Sequence, residues 1–293
     1  MEHQRGDAVK VETFFDAATS TFTHVLYDEG AGEAAIIDPV LDFDPAAGRI
    51  STASAENVAA FAEKAGLKVR YILETHVHAD HLSAAQFLKK RFQAKLGIGH
   101  RIREVQKTFS AVFNLDAAQV AADADFDLYL KEEDVLALGS LQVRVIETPG
   151  HTPACVSYHV EGAVFTGDTL FMPDSGTARC DFPGGDASRL YRSIQKLFKL
   201  PPDTAVYLCH DYGAGGKREV AFRTTIAEEM EKNIHVGGGR SEADFVRMRK
   251  ERDAALSMPH LLLPAIQANM RAGRLPPPEA NGTAYFKIPV NRL

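Results

Sequence analysis

The chain contains no tryptophan and only three cysteines, Cys155, Cys180 and Cys209, in 293 residues. So few thiols cannot build a disulfide framework, and their odd number leaves at least one free, which fits a reduced, cytoplasmic setting. No apolar run approaches the roughly 20 residues that a membrane span needs, so no membrane association is expected. The first seven residues, Met1 to Asp7, lack the apolar core and small-residue cleavage site of a secretory leader. A basic excess is missing too. With 33 Lys and Arg against 39 Asp and Glu, the net charge is −6, whereas a nucleic-acid surface needs clustered cations. Neither an internal repeat nor a low-complexity tract is visible. The 45% hydrophobic and 25% charged residues describe an ordinary globular protein with enough apolar side chains for a large core. What the chain has in quantity is histidine, 11 in all.

Strand and helix signals alternate along the chain. Val11–Phe15, Thr23–Tyr27 and Ala34–Ile37 are β-branched, aromatic or aliphatic and read as strands. Residues 41–54 read as a surface loop, with Ser54 capping a helix over Glu56 to Ala65 that Gly66 ends. Val69–Leu73 is a buried strand, and Ser83 to Phe92 a helix. Leu141–Ile146, Val156–Val160 and Ala163–Thr166 return to strands, the last two joined by the hairpin turn Glu161-Gly162. Asp186–Phe198 is helical and Thr204–Cys209 another strand. This alternation indicates an α/β architecture. Beyond Gly213 the pattern predicts helices near 218–233, 241–255 and 259–272, with Ser241 and Asp244 forming a capping box, then a short strand at Ala284–Ile288. The expected organisation is residues 1–212 as one layered domain and 213–293 as a helical extension packed on it.

The histidines are concentrated. Thr75-His76-Val77-His78-Ala79-Asp80-His81 places three imidazoles and a carboxylate directly after a buried strand. In an extended loop His76, His78 and Asp80 would face one side, and imidazole with carboxylate suits Zn²⁺, Fe²⁺ or Mn²⁺. The competing reading is a polar surface loop. Three further segments weigh against it: His151 in Thr148-Pro149-Gly150-His151, Asp168 in Thr166-Gly167-Asp168, and His210 in Cys209-His210-Asp211-Tyr212 each follow a strand. An α/β scaffold presents its chemistry at such strand ends. Five of the 11 histidines therefore belong to one candidate metal site. Pro149-Gly150 should fix His151 through a tight turn, and Gly167 should let the backbone pass close to the metal.

In this order, His76-Val77-His78-Ala79-Asp80-His81, His151, Asp168 and His210 resemble the metallo-β-lactamase superfamily over residues 11 to 212. The resemblance implies an αββα sandwich with metal in a cleft at the sheet edges, and a supporting role for Asp38. Two branches fit. Glyoxalase II-type thioester hydrolases use two zinc sites, one with counterparts of His76, His78 and His151, the other with Asp80, His81 and His210, bridged by Asp168. Persulfide dioxygenases, the group of the ethylmalonic-encephalopathy protein, hold a single Fe(II) with counterparts of His76, His151 and Asp168, a facial triad that leaves positions open for persulfide and O₂.

Gly176-Thr177-Ala178-Arg179-Cys180-Asp181-Phe182 is similar to a Gly-x-x-Arg-x-Asp-Phe element of the dioxygenases, and His210-Asp211-Tyr212 to their His-Asp-Tyr. The wider segment from Met172 to Asp186 resembles a bacterial subgroup that carries the label β-lactamase-like hydrolase. By resemblance, Arg179 and Asp181 pair beside the site and Tyr212 reaches toward the iron. A plain surface ion pair and a core tyrosine are the alternatives. The implied substrate is glutathione persulfide, whose two carboxylates call for nearby cations. Residues 213–274 carry 11 Lys and Arg against 8 Asp and Glu, so Lys217, Arg218, Arg240 and Arg249 join Arg179 as candidate contacts, a solvated helix face being the alternative for each. The three cysteines read as small buried hydrophobes, or as thiols placed to exchange sulfur. A homo-oligomer is expected, with a sulfurtransferase as a further partner.

Overall fold

The computed structural model describes residues 9–292, so the heptad read above for a leader lies outside the described residues. The chain opens with β1 (Lys10–Asp16), β2 (Thr21–Asp28), β3 (Glu33–Ile37), β4 (Val40–Asp44), β5 (Arg49–Ser51) and α1 (Ala53–Lys64). It continues through β6 (Lys68–Leu73), β7 (Leu82–Ser83), α2 (Ala85–Phe92), β8 (Lys95–Gly99), α3 (Ile102–Phe113), α4 (Ala117–Asp123) and β9 (Leu128–Leu130). A second run comprises β10 (Val135–Leu138), β11 (Leu141–Glu147), β12 (Val156–Val160), β13 (Ala163–Phe165), α5 (Ala187–Leu197) and β14 (Ala205–Tyr207). The last part holds the short turn α6 (Gly213–Gly216), β15 (Arg223–Thr225), α7 (Ile226–Lys232), α8 (Glu242–Asp253) and α9 (Leu262–Asn269).

Two six-stranded sheets form, in the orders β1-β2-β3-β6-β8-β9 and β10-β11-β12-β13-β14-β15. Strands β3, β6, β8 and β9 are parallel, as are β13 and β14. The inner faces meet in one cluster, with Leu26, Ile37 and Leu73 from the first sheet against Val143, Val145, Tyr158 and Phe165 from the second. Helix α3 buries Ile102, Val105, Phe109 and Phe113 on the outer face of the first sheet. Helix α5 buries Leu190, Ile194 and Leu197 on the outer face of the second. Spacings of three and four residues make each helix one-sided, so each closes an outer layer. The result is the expected αββα sandwich.

Several local expectations fail for identifiable reasons. The stretch 41–54 contains β4 and β5, because Asp42 accepts Ser54 N–H at 3.0 Å and Ser54 Oγ at 2.6 Å, tying the chain back on itself. Ser54 is thus not a cap, and the first residue of α1 is Ala53. The predicted helix from 218 starts only at Ile226, because Arg223–Thr225 pairs with β14 instead. The expected strand at 284–288 does not form: Lys287 exchanges both backbone bonds with the Gln267 side chain on α9, at 2.9 and 3.0 Å, rather than with a strand. The 213–293 extension joins the main core, where Ile226, Val236 and Phe245 pack with Val164, Leu190 and Val206. No helix among the described residues is long and apolar enough to cross a membrane.

Candidate metal centre

The C-terminal ends of β3, β6, β11, β13 and β14 deliver Asp38, the 74–81 loop, the 148–153 turn, Gly167-Asp168 and His210 to one place. A short bridge between Thr21, the first residue of β2, and His210, just past β14, ties the two sheets together there. His76 Nε2 and His151 Nε2 lie 3.9 and 3.7 Å from Asp168 Oδ2. His210 Nε2 is 3.3 Å from Asp168 Oδ1 and 3.2 Å from Asp80 Oδ2, and His81 Nδ1 lies 3.3 Å from the same Asp80 oxygen. Ligand atoms of His76, His151 and Asp168 fall within 4.8 Å of one another, as do those of His78, Asp80, His81 and His210. All seven predicted positions are therefore together, and the burial of six of them, with Asp80 half-buried, excludes the surface-loop alternative.

The outward ring atoms are fixed. Thr75 Oγ1 donates to Asp38 Oδ2 at 2.8 Å and so accepts from His76 Nδ1–H at 2.9 Å. His151 Nδ1–H donates to the Arg179 carbonyl at 2.7 Å. These bonds set the tautomers and leave each Nε2 lone pair aimed into the cluster. Burial holds the His76 ring well below its ordinary pKa, hence neutral. His76 Nε2, His78 Nδ1, His81 Nε2, His210 Nε2 and Asp168 Oδ1 are buried without a hydrogen-bond partner. A native interior seldom strands so many polar atoms in one place. A cation held by imidazole and carboxylate satisfies them, so the donor set fits a metal.

Asp38 does more than the sequence suggested. Its backbone takes φ +51°, and its carboxylate accepts Thr75 N–H at 2.7 Å and faces His78 Nε2 at 3.0 Å. Glu74, overlooked in the sequence although it directly precedes the motif, also reaches His78 Nε2 at 3.1 Å and takes a short bond from Ser83 Oγ. Gly167 has φ +51°, but the close approach it permits is to the Thr75 side chain, not to the metal position. Gly150 lies against the Leu190 backbone, where a Cβ would collide, so His151 is held by helix contact as well as by its turn.

A cleft of about 490 Å³ opens over the cluster, lined by Asp80, His151, Asp168, Phe171, Arg179, Phe182 and Tyr212 on one side. Arg252, Leu256, Ser257, Pro259 and His260 line the other. Arg179 forms a two-pronged pair with Asp181, both bonds 2.6 Å, donates to Ser257 O at 2.7 Å and stacks over Phe182 at 4.8 Å. It is therefore a built wall of the cleft, not a loose surface pair. Tyr212 is 53% exposed at the mouth, its ring stacked on His210 at 6.3 Å, which rules out a core tyrosine.

The predicted substrate cations fare differently. Lys217, Arg218 and Arg240 do not line the cleft; Arg218 is tied to Asp174 at 2.7 Å and Asp211 at 2.9 Å. Arg249 borders the cleft but is only 2% exposed and is paired with Asp253. Arg252 and His260, which no sequence motif marked, also line the cleft from the extension. All three cysteines are buried. Burial pushes the Cys155 thiol up to about 12 and those of Cys180 and Cys209 upward as well, so they stay protonated and behave as small hydrophobes.

Residues 20–210 match the model of the metallo-beta-lactamase superfamily. A probable metallo-hydrolase of Burkholderia pseudomallei is 52% identical over 97% of this chain and 99% of its own. Glyoxylase B2 of Dictyostelium discoideum is 47% identical over 97% and 98%. The human mitochondrial persulfide dioxygenase ETHE1 is 29% identical over 92% and 90%. Among solved structures, ETHE1 from Myxococcus xanthus superposes with a TM-score of 0.72 at 30% identity, covering 90% of this chain and 100% of that one.

Proposed function

From the premise that this chain belongs to the metallo-beta-lactamase superfamily, we propose that it is a mononuclear non-haem Fe(II) persulfide dioxygenase. The proposed reaction converts glutathione persulfide, O₂ and water into sulfite, glutathione and two protons. One observation carries this reading. The Gly176-to-Phe182 element that favoured dioxygenase over hydrolase is built into the site: the Arg179 carbonyl holds His151 at 2.7 Å and Phe182 packs on the His151 ring at 5.6 Å. The structural likeness to ETHE1 supports it.

In this reading His76, His151 and Asp168 hold the iron. Bound Fe(II) supplies open positions where O₂ and a persulfide sulfur meet, a reaction otherwise spin-forbidden. Thr75 and the Arg179 carbonyl hold the two imidazoles with Nε2 inward. The Phe171, Phe182 and Tyr212 rings narrow the cleft around the sulfur and limit water. Arg252 and His260, which line the cleft, are the contacts this reading assigns to the carrier's carboxylates.

A dinuclear zinc thioester hydrolase is the second reading. It is favoured by the Asp80, His81 and His210 group, which His78 joins here instead of the His76–His151–Asp168 group, and by the names of the two relatives near 50% identity. Metal analysis of variants separates them. Under the dioxygenase reading Asp168→Ala loses its iron, whereas Asp80→Ala, purified anaerobically, keeps about one iron per chain. Loss of all metal from Asp80→Ala, with two zinc per chain in the parent protein, supports the hydrolase instead.

A further inference from the structure

The peptide group joining Arg179 to Cys180 is held at both ends. Its carbonyl oxygen accepts His151 Nδ1–H at 2.7 Å. Its N–H, on Cys180, donates to Asp253 Oδ2 at 2.8 Å. A peptide is planar, and its C=O and N–H point in opposite directions, so whatever fixes one fixes the other. Asp253 stands at the end of α8, in the extension, 5% exposed. It is itself held by Arg249 one turn earlier, with Nε 2.8 Å and Nη2 2.7 Å from Oδ1. Arg249 Nη1 also donates to Thr177 O at 3.0 Å, in the same segment of chain.

We propose that the buried Arg249–Asp253 pair is a positioning device for the metal centre, acting through the Arg179–Cys180 peptide to orient His151. The claim rests on His151 being a metal ligand, as in the proposed function, but not on which metal is bound. A carboxylate on the N–H draws electron density toward the carbonyl oxygen of the same peptide, strengthening the bond that oxygen accepts. That in turn makes His151 Nε2 a better donor and holds its ring in one orientation, as a carboxylate bonded directly to a metal-bound histidine does. Arg249 is thus taken out of the substrate role its charge suggested: it is consumed in holding Asp253 and Thr177. The middle residue of Arg-x-Asp acquires a function through its backbone N–H rather than its thiol.

The test uses Co(II) as the probe, in the full chain. The visible spectrum reports the geometry around the metal, and a chelator challenge reports its release. The double variant Arg249→Met/Asp253→Leu removes the pair without leaving a lone buried charge, and Arg249→Lys keeps the charge while losing the planar fork. Arg247→Ala, whose guanidinium bonds Asp244 on the exposed side of α8 at 2.6 Å, serves as control. With folding verified by circular dichroism, the double variant is expected to release Co(II) about tenfold faster, with a shifted spectrum. Arg249→Lys should fall between it and the parent, and Arg247→Ala should match the parent. A folded double variant with parental release and spectrum overturns the proposal. If the double variant does not fold, a folded Arg249→Lys with parental release overturns it equally. A parent protein that binds zinc and hydrolyses thioesters refutes the dioxygenase reading and leaves this comparison valid.

Discussion

At the residue scale, the site depends on buried charges whose state is set by neighbours rather than by residue type. Glu229 shows the same physics away from the metal. It is fully buried, its Oε2 accepts Asn233 Nδ2 at 2.6 Å and its Oε1 has no partner. Burial pushes its carboxyl from an ordinary 4.5 to about 8. Between those values the folded chain holds a proton that the unfolded chain has released, so stability falls as pH rises through that window. Glu229→Gln, which mimics the protonated acid, should remove this dependence. Urea unfolding at pH 5 and pH 9 is expected to show the variant gaining up to about 4 kcal/mol on the parent between the two conditions. Parallel behaviour of the two proteins would refute a buried neutral Glu229.

At the scale of elements, what was legible in the sequence and what was not separate cleanly. Strand β6 and its histidine loop, the β12–β13 hairpin, α5 and the Ser241 cap on α8 all rest on local chemistry, and the structure has them. The metal cluster was legible because each of its residues lies just past a strand, where local pattern and function coincide. The misses came from long-range bonds. Ser54 was drawn from capping by Asp42, and Gln267 replaced a strand partner for Lys287. The contribution of α9 was invisible for the same reason. Asn269 Nδ2 donates to the carbonyls of His78 and His81, at 2.9 and 2.8 Å, and its Oδ1 accepts Ser83 N–H at 2.9 Å. Asn269→Ala leaves three buried backbone groups without their present partner. It should cost about 3 kcal/mol, since each such group costs about 1–3 and water recovers some. Equilibrium urea denaturation checks this, and a cost below about 1 kcal/mol would show that the loop holds its shape without α9.

At the scale of the whole molecule, the segment beyond residue 212 packs on the layered domain and shares its core. The extension supplies Ile226, Val236 and Phe245 to the core over the second sheet, one wall of the cleft, and bonds to both the 78–81 loop and the 177–181 segment. A chain ending at residue 212 exposes a large apolar face and is expected to aggregate or to melt without cooperativity, as judged by soluble yield and thermal circular dichroism. A soluble, cooperatively folding 1–212 fragment that binds metal as the full chain does would contradict this view. Of the cations in the extension, read in the sequence as a substrate surface, Arg218, Lys232, Arg247, Arg249 and Arg274 stand in ion pairs, and Arg252 lines the cleft.

What the assembled site does is decided by the reaction it catalyses. The most direct measurement is oxygen consumption by the anaerobically purified, iron-loaded protein on addition of glutathione persulfide, with sulfite assayed in the same vessel and S-lactoylglutathione hydrolysis run in parallel. One O₂ consumed per sulfite formed, with negligible thioester hydrolysis, is the expected result. Thioester hydrolysis without persulfide-dependent O₂ uptake would contradict it.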